Sequence, residues 1–129
     1  MLRLPVKLLR KGEDVRASML KGHLEALVLA VLAEGSTHGY AILSALRAKT
    51  GGAVAIEGGS LYPLLRKLEE RGLVESRWAT DAGRERRIYD LSPAGHRALT
   101  EERSAWAAFV GALAPLLDPQ THQTDCAPA

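Results

Sequence analysis

The sequence predicts a mainly α-helical fold, a winged helix-turn-helix of three short helices and a two-stranded wing, followed by a long C-terminal helix. Three observations predict it. Apolar residues recur at helical spacing in three successive stretches between Leu24 and Leu73,. The period shortens to two between Leu73 and Leu91, around Thr80-Asp81-Ala82-Gly83, a sequence suited to a hairpin turn,. Ser92-Pro93 then reopens a helix, with a serine to cap it and a proline at its first position,.

The first helix is written by Leu24, Leu27, Val28, Val31 and Leu32, which share one face, and Gly35 supplies its stop,. Ser36 or Thr37 is placed to cap a second helix with Ile42, Leu43 and Leu46 inside, closed by Gly51-Gly52,. So short a link forces the two helices to turn sharply against each other. The segment Val54-Ala55-Ile56 leads to the third helix, for which Ser60 is the expected N-cap and Pro63 falls within the first turn,. Leu61, Leu64, Leu65 and Leu68 mark its buried side, and Gly72 stops it with Leu73 folding back on the last turn,.

The expected strands are Leu73–Ala79 and Arg84–Leu91. The last helix carries Leu99, Trp106, Val110 and Leu113 in a heptad-like seam, with Ala105 and Phe109 alongside, until Pro115 ends or kinks it,. The expected organisation is an extension over 1–18, the winged helix over 19–91, a dimerisation helix over 92–117 and a disordered tail over 118–129,.

A chain of 129 residues, 47% hydrophobic and 25% charged, has the make-up of one globular domain rather than of a disordered chain,. Its net charge of +2 permits nucleic-acid binding but does not argue for it, so any DNA-facing charge must be local,. The lone thiol, Cys126, cannot form an intrachain disulfide, and no apolar run suffices for a signal peptide or a membrane span, so a cytoplasmic chain is expected,. His23, His38, His96 and His122 are scattered, and no metal-ligand spacing, catalytic triad or phosphate-binding glycine loop is legible,. Neither enzyme chemistry nor a metal or cofactor is expected.

A third helix followed by a hairpin fits a double-stranded DNA target, the helix entering the major groove and the wing reaching the flanking backbone. The chemistry stands where that geometry needs it. Ser60, Tyr62, Pro63, Arg66 and Lys67 occupy the leading or outer side of the third helix, and Arg77, Arg84, Arg86 and Arg87 crowd the hairpin. Thr37, His38 and Tyr40 open the second helix, whose first amides suit a phosphate,. Each feature also has a plainer explanation. The third helix can carry an ordinary solvated face, with Glu69 and Glu70 repelling phosphates, and Arg84-Glu85-Arg86-Arg87 can be an edge strand protected by charge,. Tyr62, and more readily Tyr40, can be core residues. The agreement of cap, turn, wing charge and element order favours DNA. A winged-helix protein–protein adaptor without DNA binding is the alternative, because fold alone does not decide function.

Lys21-Gly22-His23-Leu24-Glu25, Thr37-His38-Gly39-Tyr40, Gly59-Ser60-Leu61-Tyr62-Pro63-Leu64-Leu65, Leu68-Glu69-Glu70-Arg71-Gly72-Leu73 and Arg86-Arg87-Ile88-Tyr89-Asp90-Leu91-Ser92-Pro93-Ala94-Gly95 together resemble the PadR family of bacterial transcriptional regulators, over about Met19 to Leu113. The single helix after the wing is similar to the family's small subfamily, which includes multidrug-responsive members. The resemblance implies a homodimeric repressor whose last helices form the dimer contact. It also implies that Trp106 lines an apolar site for a small apolar or aromatic effector at the dimer centre; filling the dimer seam is the other reading of that residue. Unburied seam residues make a C2 homodimer favourable in any case. Two recognition helices then meet half-sites of a pseudo-palindromic operator about one helical turn apart, roughly 34–36 Å. Family members begin close to Met19-Leu20-Lys21-Gly22, so Met1 to Ser18 is an extension or a misassigned start. As an extension it is either a short helix on the partner's last helix (Leu4, Val6, Leu8, Leu9) or a basic arm near DNA (Arg3, Lys7, Arg10, Lys11, Arg16).

Overall fold

Four helices and a three-stranded antiparallel sheet make up the computed structural model, which describes Leu20 and residues 22–119. The expectations for the N-terminal extension, and for the tail from residue 120 onward, lie outside the described residues. In chain order the elements are α1 (Leu24–Ala33), β1 (Thr37–His38), α2 (Gly39–Lys49), α3 (Gly58–Glu70), β2 (Val74–Asp81), β3 (Arg84–Leu91) and α4 (Pro93–Leu117).

The core forms where the apolar faces predicted from spacing meet. Val28, Leu29, Val31 and Leu32 of α1, Ile42 and Leu46 of α2, and Leu61, Leu65 and Leu68 of α3 are buried together with Val54, Val74, Tyr89 and Leu99. Helix α1 is central, packing on α2, on β3 and on α4, while α2 and α3 pack on each other.

Several boundaries differ from expectation. Thr37 and His38 do not precede α2 as coil; they form β1, paired with Tyr89 and Ile88 of β3. The sheet order is therefore β1-β3-β2, one strand more than the expected wing. With Thr37 drawn into the sheet, the cap of α2 is His38, whose Nδ1 accepts from the Ala41 amide at 3.3 Å. Ser36 is likewise no cap, and its hydroxyl donates to the Asp90 carboxylate. Thr50 closes α2, its hydroxyl donating to the Leu46 carbonyl at 2.7 Å and accepting from the Val54 amide at 3.0 Å.

Helix α3 starts before Ser60. Glu57 is the cap residue, without a side-chain cap bond, and the amides of Ser60 and Leu61 both donate to the Glu57 carbonyl. Pro63 consequently sits beyond the first turn, where its missing N–H leaves the Gly59 carbonyl without its helical donor,. The far end is as expected: the amides of Gly72 (φ +79°) and Leu73 donate back to the carbonyls of Glu69 and Leu68, a Schellman ending,.

The wing is longer than predicted. Its register runs from Val74↔Leu91 to Asp81↔Arg84, so the turn is only Ala82-Gly83, both at positive φ as a type I′ turn requires,. At the other end Ser92 caps α4, its hydroxyl accepting from the Gly95 amide at 3.0 Å and donating to the Gly72 carbonyl at 2.6 Å. Pro115 neither ends nor breaks this helix, which continues to Leu117.

Candidate nucleic-acid interface

The start of α2, the leading half of α3 and the wing meet around an open cleft of about 490 Å³, lined by His38, Tyr40, Tyr62, Trp78, Arg86 and Arg87 among others. Three local causes bring them together. The β1–β3 ladder fixes His38 beside the wing. The burial of Leu61, Leu65 and Leu68 turns Ser60, Tyr62, Pro63, Arg66 and Lys67 outward, and all five are exposed. Alternation along the two long strands puts Trp78 opposite Arg87, on the face that carries Val74 and Tyr89 into the core,.

Tyr40 is 71% exposed, so it is not a core residue. Tyr62 is less exposed, because its ring packs against Gly39 and Gly58; a β-carbon at Gly39 would stand 2.3 Å from its hydroxyl. Thr37 is half-buried in β1. Arg84 lies open at the wing tip, and Arg86, half-buried, brings Nη1 to 2.7 Å from the His38 Nε2.

The basic residues differ in how far their charge is already answered. Lys67 and Arg71 both approach Glu25, at 4.0 and 2.8 Å. Arg77 lies 3.8 Å from Asp90. Arg87 is held three ways: its Nε donates to the Ser76 hydroxyl at 3.0 Å, its Nη2 lies 3.9 Å from Glu69, and its guanidinium stands over the Trp78 ring at 5.3 Å. Glu69 also accepts from the Ser76 hydroxyl at 2.7 Å, so it faces the wing. Arg66, Arg84 and Arg86 have no carboxylate partner among the described residues. These exposed pairs hold geometry more than they contribute energy. The buried Tyr89 ring sits between Arg87 and the core, and burial raises its phenol pKa above the ordinary value.

Trp78, 63% exposed, is the residue of this face that the sequence reading passed over. Its signal was available: it lies four residues beyond the buried Val74 on the same strand face, past the end of the core.

The second set of expected contacts lies on α4, and one member moves. Leu99 is only 3% exposed within the single chain, because the first turns of α4 pack on α1 and β3; it belongs to the core and not to a dimer seam. Trp106, Phe109 and Val110 are exposed and Leu113 is half-buried, and the row extends to Leu116 and Leu117, since the helix passes through Pro115. Trp106 and Phe109 stack with ring centres 6.1 Å apart, and His23 meets Trp106 edge-on at 5.6 Å. Among the described residues no helix is long and apolar enough to cross a membrane, and no cluster of His, Cys, Asp or Glu could hold a metal ion.

Residues 28–101, more than half of the chain, match the model of the transcriptional regulator PadR-like family. A transcriptional regulator of Mycobacterium tuberculosis is 48% identical over 50 residues, which are 39% of this chain and 47% of that one. Among solved structures, a PadR family transcriptional regulator from Eggerthella lenta is 35% identical, with a TM-score of 0.67 over 78% of this chain and 87% of its own. A PadR-like transcriptional regulator from Bacillus cereus is 27% identical, with a TM-score of 0.72 over 79% of this chain and 98% of its own.

Proposed function

The chain belongs to the PadR-like family of transcriptional regulators, and from that premise we propose that it represses transcription as a C2 homodimer gripping a pseudo-palindromic operator. The observation that carries this reading is that the α2 start, Tyr62 of α3 and the wing residues Arg84, Arg86 and Arg87 line one open cleft. Family membership makes the chain a DNA-binding regulator rather than an enzyme or an adaptor without DNA binding.

Roles follow from position. Arg66 stands opposite the buried leucines without a carboxylate partner among the described residues, so it is the first candidate for a base edge; Lys67 shares Glu25 with Arg71 and serves the backbone,. Ser60, Tyr62 and Pro63 shape the entry of α3. Thr37, His38, Tyr40 and the wing residues Arg77, Arg84, Arg86 and Arg87 face the flanking phosphates. Two copies pair through Trp106, Phe109, Val110 and Leu113 with Leu116 and Leu117, since an exposed row of large apolar residues is costly to leave in water,. Flat apolar effectors fit the same seam, because a stacked Trp106–Phe109 pair presents aromatic surface for a planar ring,.

A mobility-shift titration with the DNA upstream of the chain's own gene, repeated across salt concentrations, tests the DNA reading. Sedimentation of the Trp106→Glu variant tests the dimer, which should fall to monomer. Quenching of Trp106 by planar cations in a Trp78→Phe background tests the effector; the background is needed because Trp78 is itself exposed and would report too.

A further inference from the structure

Glu69 is an acid on the helix that carries the candidate base contact, and an unanswered carboxylate there would repel phosphate,. It is answered from the wing. The carboxylate accepts from the Ser76 hydroxyl of β2 at 2.7 Å and lies 3.9 Å from Nη2 of Arg87 on β3. The same hydroxyl accepts from Arg87 Nε at 3.0 Å, so one serine joins the acid to the base,. The guanidinium lies over the Trp78 ring, 5.3 Å from its centre. Four side chains thus tie together α3, β2 and β3.

They do so where the wing leaves the core. Tyr89, paired with Ser76, is the outermost buried residue on this face of the sheet. The next pair outward on that face is Trp78 with Arg87, and Trp78 is exposed. Beyond it the strands run on to Asp81 and Arg84 as a two-stranded ribbon, which is marginal without further packing,. Arg87 turns back across that boundary: it pairs with Trp78, yet its Nε bonds the serine two residues nearer the core. The wing is held to the last turn of α3 at the point about which it would otherwise pivot.

We propose that Glu69, Ser76, Arg87 and Trp78 form a clamp that fixes the wing relative to α3 and so sharpens the choice of DNA sequence, with Glu69 and Arg87 as positioning residues. The clamp rests on the reading that this face binds duplex DNA. A specific site must meet base contacts from α3 and backbone contacts from the wing at once, whereas a random duplex needs only charge. A wing held in place beforehand loses less freedom on the specific site. Arg87 acts through the placing of the wing, its own charge being engaged by Glu69.

The test uses the full chain and two duplexes, the one that the wild type selects from random fragments and one of random sequence. Ser76→Ala removes the bridging hydroxyl and changes no charge. It should weaken binding to the selected duplex about tenfold, the scale of a hydrogen bond to charged groups, and leave random-duplex affinity and its salt slope unchanged. Ser76→Thr, which keeps the hydroxyl, should restore the preference. Arg87→Lys keeps the charge but gives up Nε and the planar stack. It should lose as much as Ser76→Ala, and the double variant should be little weaker than either. Equal losses on both duplexes, additive losses or no loss would overturn the clamp. In the free chain, nitrogen-15 NMR should show the Arg87 Nε–H slow to exchange and shifted by the Trp78 ring, and Ser76→Ala should abolish both. A signal exchanging as freely as that of Arg84 would overturn the clamp without reference to DNA. A wild type that prefers no duplex would overturn the DNA reading, and with it the role given to the clamp.

Discussion

Tyr62 of α3 lies across Gly39 at the first position of α2, so close that a β-carbon there would stand 2.3 Å from the tyrosine hydroxyl and 2.6 Å from the ring. The angle between the two helices is thus set where a missing side chain lets an aromatic ring through. Tyr62 is partly exposed and can swing out, so Gly39→Ala should change stability by less than about 1 kcal/mol, the loss of contact being offset by alanine's better helix propensity. Duplex affinity should fall, because the displaced ring enters the cleft. Urea unfolding and a binding titration on the same preparation separate the two effects, and equal affinity for variant and wild type would contradict the coupling.

Gly95 has the opposite character. A β-carbon there would lie 2.1 Å from the Leu73 carbonyl oxygen, a backbone atom that cannot swing aside. Gly95→Ala should therefore destabilise the fold by about 1–3 kcal/mol or more, as overpacking does. Ser92→Ala, which removes the cap of α4 and the bond to the Gly72 carbonyl, should cost about 1–2 kcal/mol,. Denaturant midpoints at constant slope would measure both.

Glu25 restrains two cations of the α3 face, Lys67 and Arg71. Glu25→Gln should release both toward phosphate, raising affinity for random-sequence DNA and steepening its salt dependence by about two units per protomer. Stability should change by less than about 1 kcal/mol, because the pairs are exposed. An unchanged slope would place Lys67 and Arg71 away from the backbone.

Burial raises the Tyr89 phenol pKa in the folded chain, so the unfolded chain, at about pH 10, ionises first,. The stability that follows from this is complete below that pH and is lost as pH rises through the folded value. Tyr89→Phe should lessen the alkaline loss measured by unfolding at successive pH values. Identical alkaline profiles would show that Tyr89 is not the group responsible.

What the sequence revealed depended on how local the cause was. The faces of α1, α2 and α3, the Gly72–Leu73 ending and the Ser92 cap were all legible, because each is written within a turn or two of chain. β1 was not, because two residues become a strand only through Tyr89 and Ile88, about fifty positions away in the chain. The same remoteness made His38 a cap in place of Ser36 or Thr37. Leu99 was misplaced because heptad spacing does not tell where a helix leaves its own core, and α4 does so just after that residue. Of the candidate DNA residues, which line the cleft and which are already answered by Glu25, Glu69 or Asp90 are tertiary facts.

The central claim is that two copies read duplex DNA through α3 and the wing, and selection of bound fragments from random duplexes by the purified chain tests it most directly. The expected result is an enriched pseudo-palindrome whose half-sites lie about one helical turn apart, roughly 34–36 Å, with affinity falling steeply as salt rises. No enriched sequence, or binding that salt does not weaken, would contradict it.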